Sequence, residues 1–260
     1  MINLSEYLNK IEPMVYDAGK NILSYIGHEK SVEYKGDINL VTIADKTTEK
    51  LIYDFLHEKF PEDSIMAEEG NFFEGASDYT WVVDPLDGTT SFAHNFPFFA
   101  VSIGLINKEK QPVLGVVYNP FFNEYFSASL GSGAFLNNNL IKVSNVKNIA
   151  QSLIGTGFPY NRREIMNTIM KRLQNVLYNV HDVRRTGSAA LDIVYVAAGR
   201  LDGYYEQGLQ PWDVAGGLCI LREAGGHSSS YSGDPINIFC PETVVSNRFI
   251  HNDFLKIIME

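Results

Sequence analysis

The sequence predicts a mixed fold of two lobes, an N-terminal α+β lobe and a C-terminal α/β lobe. Between residues 64 and 129, short runs rich in β-branched and aromatic residues are separated by turn residues, which is typical of an antiparallel sheet. From about Gln151 onward, strand-like and helix-like segments alternate, which is typical of an α/β arrangement. We therefore expect residues 1–145 to form the first lobe and residues 146–260 to form the second.

Hydrophobic periodicity gives the order of the individual elements. Helical spacing of apolar residues predicts helices over residues 4–26 and 44–59, with Gly27 and Pro61 beyond their ends. In the first lobe we expect strands at 64–67, 79–83, 98–106, 113–118 and 124–129. In the second lobe we expect strands at 153–156, 183–185 and 203–206, and helices at 163–178, 189–198 and 212–224.

Composition excludes several classes of protein. The formal net charge of −10 over 260 residues disfavours a nucleic-acid partner, because affinity for phosphate backbones comes largely from Lys and Arg. No run approaches the roughly 20 apolar residues that span a bilayer, so we expect no membrane partner. The two cysteines, Cys219 and Cys240, have no metal-binding spacing, and the acidic N-terminus is unlike a signal peptide. We therefore expect a cytoplasmic protein.

The segment WVVDPLDGTTSF carries the strongest chemical signal. Three apolar residues lead to Asp84, and Pro85 favours an extended conformation for the residue before it. The following Asp87, Gly88 and Thr89 can turn the chain into a short helix with Asp87 near its N-cap. This geometry would bring both carboxylates together at a strand end. The amides of Gly88 and Thr89 would lie beside them, at a helix N-terminus that suits an anion.

Two carboxylates beside an anion site are electrostatically stable only if cations lie between them. Oxygen ligands without a nearby His or Cys favour Mg²⁺ or Mn²⁺ over zinc. Two other segments supply acids: Glu68 follows a short apolar strand, and Asp213 begins an apolar helix. Each segment alone also fits a simpler interpretation, since an Asp at a turn or helix start is usually a cap.

Taken together, these segments resemble the inositol monophosphatase family, a superfamily of magnesium-dependent, lithium-sensitive phosphatases. The resemblance depends on two long motifs, residues 81–92 and 212–217. Further support comes from residues 40–45, 68–69, 184–190 and 204–206. Their order and separations fit along essentially the whole chain. The resemblance implies a layered α-β-α-β-α sandwich of the inositol monophosphatase and fructose-1,6-bisphosphatase type.

The resemblance also implies a set of metal ligands. The ligands would be the carboxylates of Glu68, Asp84, Asp87 and Asp213. The backbone carbonyl of Leu86 would be a fifth ligand. Two or three Mg²⁺ ions are implied, with Mn²⁺ as a substitute.

The remaining site residues are likewise implied by the resemblance. Asp45 and Thr89, together with Glu68, would orient and help deprotonate the attacking water. The amides of Gly88 and Thr89 would hold the phosphate. The alcohol part of the substrate would contact Glu206, Ser188, Ala189 and Asp213. Lys35 would lie on a mobile loop that closes over the site.

The implied activity is Mg²⁺-dependent hydrolysis of a small phosphate monoester. A metal-activated water would attack in a direct in-line displacement, without a phosphoenzyme. Inositol monophosphate is the leading substrate, because Glu206 can accept hydrogen bonds from sugar hydroxyls. Fructose 1,6-bisphosphate, the 2′-phosphate of NADP and 3′-phosphoadenosine 5′-phosphate stay open, since Arg185 can meet a second phosphate.

Two hypotheses from other classes also stay open. A non-catalytic regulatory protein that binds metal or phosphate is disfavoured because every expected acid is present. A phosphotransferase is disfavoured because the sequence has neither a Walker loop nor a kinase glycine-rich loop. The resemblance further implies a homodimer.

Overall fold

The structure is a computed structural model that describes residues 2–27, 32–35 and 39–259, with the backbone alone at 32–35 and 39–41. Its helices are α1 (Leu4–Ser24), α2 (Ile43–Lys59), α3 (Thr89–Ala93), α4 (Met166–Asn179), α5 (Ala189–Ala197), α6 (Pro211–Glu223) and α7 (His251–Met259). In the first half of the chain its strands are β1 (Val32–Lys35), β2 (Asn39–Thr42), β3 (Ser64–Ala67), β4 (Phe72–Phe73), β5 (Thr80–Asp87), β6 (Ala100–Ile106), β7 (Pro112–Asn119), β8 (Glu124–Ser129), β9 (Ala134–Leu136) and β10 (Asn139–Ile141). In the second half they are β11 (Leu153–Thr156), β12 (Asp182–Arg184), β13 (Gly203–Gln207), β14 (His227–Ser229) and β15 (Glu242–Ser246).

Two large sheets organise the described chain. The first has eight strands in the order β10-β9-β8-β7-β6-β5-β3-β4, and it is antiparallel except between β3 and β5. The second has five strands in the order β12-β11-β13-β15-β14, with β11 parallel to both of its neighbours. The antiparallel sheet predicted for the first half is confirmed, and so is the alternation of strands and helices after residue 151.

The helices complete five layers. Helices α1 and α2 pack on one face of the eight-stranded sheet, and α5 and α6 lie between the two sheets. Helices α4 and α7 pack against each other and against the outer face of the five-stranded sheet. The predicted α-β-α-β-α sandwich is therefore confirmed. The division into lobes at residue 145 stays a prediction.

Both sheets carry apolar residues on both faces, because helices pack against each face of each sheet. On β5, Trp81 and Val83 point into the core under α1 and α2, while Val82 points into the core around α5 and α6. On β13, Tyr204 belongs to that central core and Tyr205 to the core beneath α4 and α7. Successive strand residues face opposite sides, so a strand covered twice reads as a continuous apolar run.

Helix α6 rests on the eight-stranded sheet with almost no side chain between them. A methyl group at Gly115 of β7 would lie 2.1 Å from the carbonyl oxygen of Gly216 in α6. A methyl group at Gly104 of β6 would lie 2.7 Å from Cβ of Ala215. The glycines thus let the helix backbone contact the strands directly, and this contact fixes the position of the first turn of α6.

Several elements were not predicted, chiefly short strands without a periodic signal and the C-terminal helix α7. The predicted polar loop at residues 35–39 includes paired positions, since Lys35 ends β1 opposite Asn39 of β2. Residues 36–38 lie outside the described residues. Among the described helices, none is long and apolar enough to cross a membrane.

Candidate active site

The end of β5 places two acids on one side of the sheet. Asp84 pairs with Ser102 and Asp87 pairs with Ala100, so three steps along β5 oppose two steps along β6. In a regular strand, residues three apart face opposite sides, but this bulge adds a residue and changes the alternation. Both carboxylates consequently reach the same cavity.

Asp87 lies directly before the N-cap of the following helix, as predicted, but its side chain does not cap that helix. Gly88 occupies the N-cap of α3, with φ of 91°, and no side chain caps that helix. A Cβ at this position would lie 2.7 Å from the carbonyl oxygen of Phe98, so a side chain is excluded by space as well as by conformation. Asp87 instead accepts hydrogen bonds at the N-terminus of α5, from Ser188 Oγ at 2.6 Å and from the Ala190 amide at 2.8 Å.

Asp213 arrives from the other half of the chain, in the first turn of α6. Its Oδ2 accepts a hydrogen bond from the Gln210 amide at 2.8 Å, which is half of a reciprocal cap. Ligand oxygens of Asp84, Asp87 and Asp213 all lie within 4.8 Å of one another. We call these three residues the acidic trio. Two of the predicted ligands therefore come from β5 and one from α6.

The electrostatics of the trio favour a cation. Burial, reinforced by the surrounding carboxylates, raises the pKa of Asp84 and of Asp213 well above the ordinary value. Burial also raises the pKa of Asp87, to about 6, although hydrogen bonds from Ser188 and Ala190 oppose the shift. Charged carboxylates this close repel one another strongly unless positive charge separates them.

The donor set fits magnesium. Oxygens bound to one Mg²⁺ at about 2.1 Å lie at most about 4.2 Å apart, so only small side-chain shifts would close the trio around an ion. Glu68 follows β3, is half-buried and lines the same cavity. Its charge raises the pKa of both Asp84 and Asp213, which indicates that it lies near them, but it is not part of the trio.

The structure brings together the two residues expected to act on water. Asp45 is buried in the first turn of α2, where its Oδ2 accepts hydrogen bonds from the Thr42 amide and hydroxyl at 2.8 and 2.6 Å. Its Oδ1 faces the hydroxyl of Thr89 at 3.0 Å, and that hydroxyl also lies 3.1 Å from the carbonyl oxygen of Leu86. Burial raises the pKa of Asp45.

The acidic trio, Glu68 and Leu86 line a cavity of about 770 Å³ that also includes Gly88, Thr89 and Ala189. Glu206 lies on its wall, half-buried, and burial raises the pKa of this carboxyl to about 7. Ser188 is also on the wall, but its hydroxyl donates to Asp87, so its contact with substrate stays a prediction. The side chain of Lys35 lies outside what the structure describes, and its role stays a prediction too.

Sequence reasoning missed several residues that support the site. Thr42 holds Asp45, and the pattern T-x-x-D before an apolar run could have revealed this capping box. Asp192 lines the cavity and accepts a hydrogen bond from Thr186 at 2.6 Å. The hydroxyl of Tyr204 donates to Glu206. Thr186 and Asp192 lie six residues apart and Tyr204 and Glu206 lie two apart, but no motif marks either hydrogen bond.

Comparison with known proteins supports the same interpretation. The model of the inositol monophosphatase family matches residues 3–259. An inositol-1-monophosphatase from a Synechocystis species is 40% identical over 96% of this chain and 88% of its own length. The crystal structure of the extragenic suppressor protein suhB from Bartonella henselae superimposes with a TM-score of 0.93, at 36% identity, over 98% of this chain and 99% of that chain. An inositol monophosphatase from Anabaena gives a TM-score of 0.90, at 37% identity, over 99% and 97% of the two chains.

The layered fold, the acidic trio and the cavity around it define a metal-dependent phosphomonoesterase. With a family match over nearly its full length, this chain belongs to the inositol monophosphatase family. Family membership implies Mg²⁺ as the cofactor, in agreement with the all-oxygen donor set of the trio.

Proposed function

We propose that this chain hydrolyses inositol monophosphate to inositol and inorganic phosphate, using Mg²⁺ held by the acidic trio, Glu68 and the carbonyl of Leu86. The observation that carries the proposal is the trio itself, three carboxylates within 4.8 Å of one another in a cavity large enough for a sugar-sized ligand. The names of the Synechocystis and Anabaena relatives support the choice of substrate. We propose two or three ions, with Mn²⁺ as a substitute.

The residues of this chain then have distinct tasks. The trio would hold Mg²⁺, which would supply activation of water and stabilisation of negative charge on the phosphate and the leaving oxygen. Thr89 accepts a proton from the attacking water and passes its own to Asp45 Oδ1, which lies 3.0 Å away. Its raised pKa makes Asp45 a stronger base than an exposed carboxylate. The amides of Gly88 and Thr89 hold the phosphate while attack proceeds in line, without a phosphoenzyme.

Two arginines on the cavity wall favour a second candidate substrate class. Arg162 and Arg185 both line the cavity, and neither lies within 4.0 Å of a carboxylate oxygen among the described residues. A substrate with a second phosphate could pair with them. This class includes fructose 1,6-bisphosphate, the 2′-phosphate of NADP and 3′-phosphoadenosine 5′-phosphate.

The test is release of phosphate from these four compounds with and without Mg²⁺. We expect the highest kcat/KM on inositol monophosphate and no turnover once Mg²⁺ is chelated. A higher value on the other three would favour the second class of substrate. No Mg²⁺-dependent release from any of them would favour a non-catalytic regulatory protein that binds metal or phosphate.

We also propose that the chain forms a homodimer. The aromatic rings of Phe96, Phe98, Phe121 and Phe122 make a connected cluster with centroid separations of 5.4 to 6.3 Å. Three of these rings are about half exposed, at 49% for Phe96, 51% for Phe121 and 46% for Phe122. Contiguous exposed aromatic surface is typical of a protein interface.

A further inference from the structure

The carboxylate of Glu206 is held in one place by two residues that do not carry out the chemistry. Glu206 and Tyr204 lie two apart on β13, so their side chains share a face of the strand. The hydroxyl of Tyr204 donates to Oε2 of Glu206. Tyr204 is fully buried, and burial raises the pKa of its phenol well above the ordinary value, so the hydroxyl stays protonated as a donor.

Gly157, in the loop after β11, supplies the space for that carboxylate. A Cβ at Gly157 would lie 1.9 Å from Oε2 and 2.5 Å from Oε1 of Glu206. The backbone at this position does not adopt a positive φ, so its conformation alone does not demand glycine. The glycine is required for room, because any side chain would push the carboxylate out of its present position.

The result is a carboxylate with one oxygen occupied and one oxygen available. Oε2 is bound by Tyr204, whereas Oε1 makes no hydrogen bond within the described part of the chain. Glu206 and Gly157 both line the cavity, and Tyr204 does not. A fixed acceptor of this kind selects for ligands that present a hydroxyl donor at one point, since its position is already set before binding.

We propose that Tyr204 and Gly157 are positioning residues that set the preference for a leaving group carrying hydroxyls. They fix Glu206 so that its free oxygen accepts a hydrogen bond from the alcohol part of the substrate. The inference rests on the proposed function, because it concerns the alcohol side of the same cavity. It adds that selection for a polyol over a hydroxyl-free alcohol depends on two residues outside the reacting groups.

The test compares two substrates that differ in the leaving group, inositol monophosphate and 4-nitrophenyl phosphate, which has no hydroxyl to offer. Tyr204→Phe removes only the donor to Glu206. We expect KM for inositol monophosphate to rise about 10-fold with little change in kcat, the size of one lost hydrogen bond to a charged group. Both constants for 4-nitrophenyl phosphate should be unchanged. Gly157→Ala should act in the same direction on the same substrate.

Tyr195→Phe is the matched control. The hydroxyl of Tyr195 donates a hydrogen bond of 2.9 Å to Glu124, and neither residue lines the cavity. It should leave both substrates unaffected. In a Glu206→Gln background, Tyr204→Phe should have no further effect on KM for inositol monophosphate, since both changes act through one carboxylate. This pair keeps the proposal testable if Gly157→Ala folds poorly.

The proposal is overturned if Tyr204→Phe changes both substrates equally, or if it changes neither. The proposed function fails in a different way, when the unmodified protein turns over another hydroxyl-bearing phosphate better than inositol monophosphate. The same comparison is then made on that phosphate, and selective loss in Tyr204→Phe still supports the positioning role.

Discussion

Replacing Asp84 with Asn should stabilise the metal-free protein while abolishing its response to magnesium. Asp84 is 2% exposed, and its ligand oxygen lies within 4.8 Å of those of Asp87 and Asp213. At an effective dielectric constant of about 20, each charged pair at that separation costs about 3.5 kcal/mol. Protonation relieves part of this cost, so we expect a net gain of about 2 kcal/mol for Asp84→Asn. The amide oxygen of Asn can still accept the 2.9 Å hydrogen bond from the Leu86 amide.

In a thermal melt with a chelator present, this gain should appear as a rise in Tm of about 4 to 8 °C. Magnesium at 100 times its Kd should stabilise the unmodified protein by about 2.7 kcal/mol and leave Asp84→Asn almost unaffected. When Mg²⁺ is added, the Tm of the unmodified protein should therefore rise to meet or exceed the Tm of Asp84→Asn. Asp17→Asn, an exposed acid on α1, is the matched control and should change neither curve.

The dependence on pH provides an independent check on the same reasoning. Burial raises the pKa of Asp84 above its ordinary value of 3.8 and raises that of Asp87 to about 6. The folded state thus holds protons that the unfolded state releases, and metal-free stability should fall as pH rises from about 4 through 6 and beyond. A lower Tm for metal-free Asp84→Asn, together with an undiminished response to Mg²⁺, would refute a cation site at the trio.

Three further predictions concern water activation, substrate recognition and assembly. Thr89→Ala should lower kcat about 100-fold or more while Mg²⁺ binding persists, because Asp45 loses its link to the attacking water; equal kcat in a phosphate-release assay would contradict the proton path. KM for inositol monophosphate should fall as pH rises through about 7, because Glu206 becomes a charged acceptor, and Glu206→Gln should flatten that part of the profile. Replacing Phe121 and Phe122 together with Ser should shift the mass in light scattering from dimer to monomer; an unchanged mass would place the interface elsewhere.

Local sequence patterns were sufficient to predict most of the fold. Apolar periodicity gave α1, α2, α5 and α6 to within a few residues, because each helix buries one stripe or is buried all round. Short strands such as β9, β10 and β14 were not predicted, because a strand of three residues is too short to show a periodic pattern. Helix α7 was not predicted although it is amphipathic, because no N-cap residue marked its start.

The candidate site was predictable in its residues but not in its geometry. The motif around Asp84 and Asp87 indicated a pair of acids at a strand end, yet their common orientation depends on a bulge against β6. That bulge reflects pairing with a strand more than ten residues away. The contact of Gly157 with Glu206 likewise joins separate segments, whereas Tyr204 lies two residues before Glu206 on β13 and its hydrogen bond depends on side-chain geometry.

The seating of α6 links catalysis to the packing of the whole molecule. Gly104 and Gly115 have no side chains, so the backbone of this helix lies directly on the strands. Its first turn cannot slide along the sheet without steric overlap. Asp213 therefore reaches the other two acids only while the central layer is fully docked. A form of the protein that kept its helices and strands but lost the packing of α6 on the sheet would bind divalent ions more weakly. The affinity for divalent ions therefore also reports on tertiary packing.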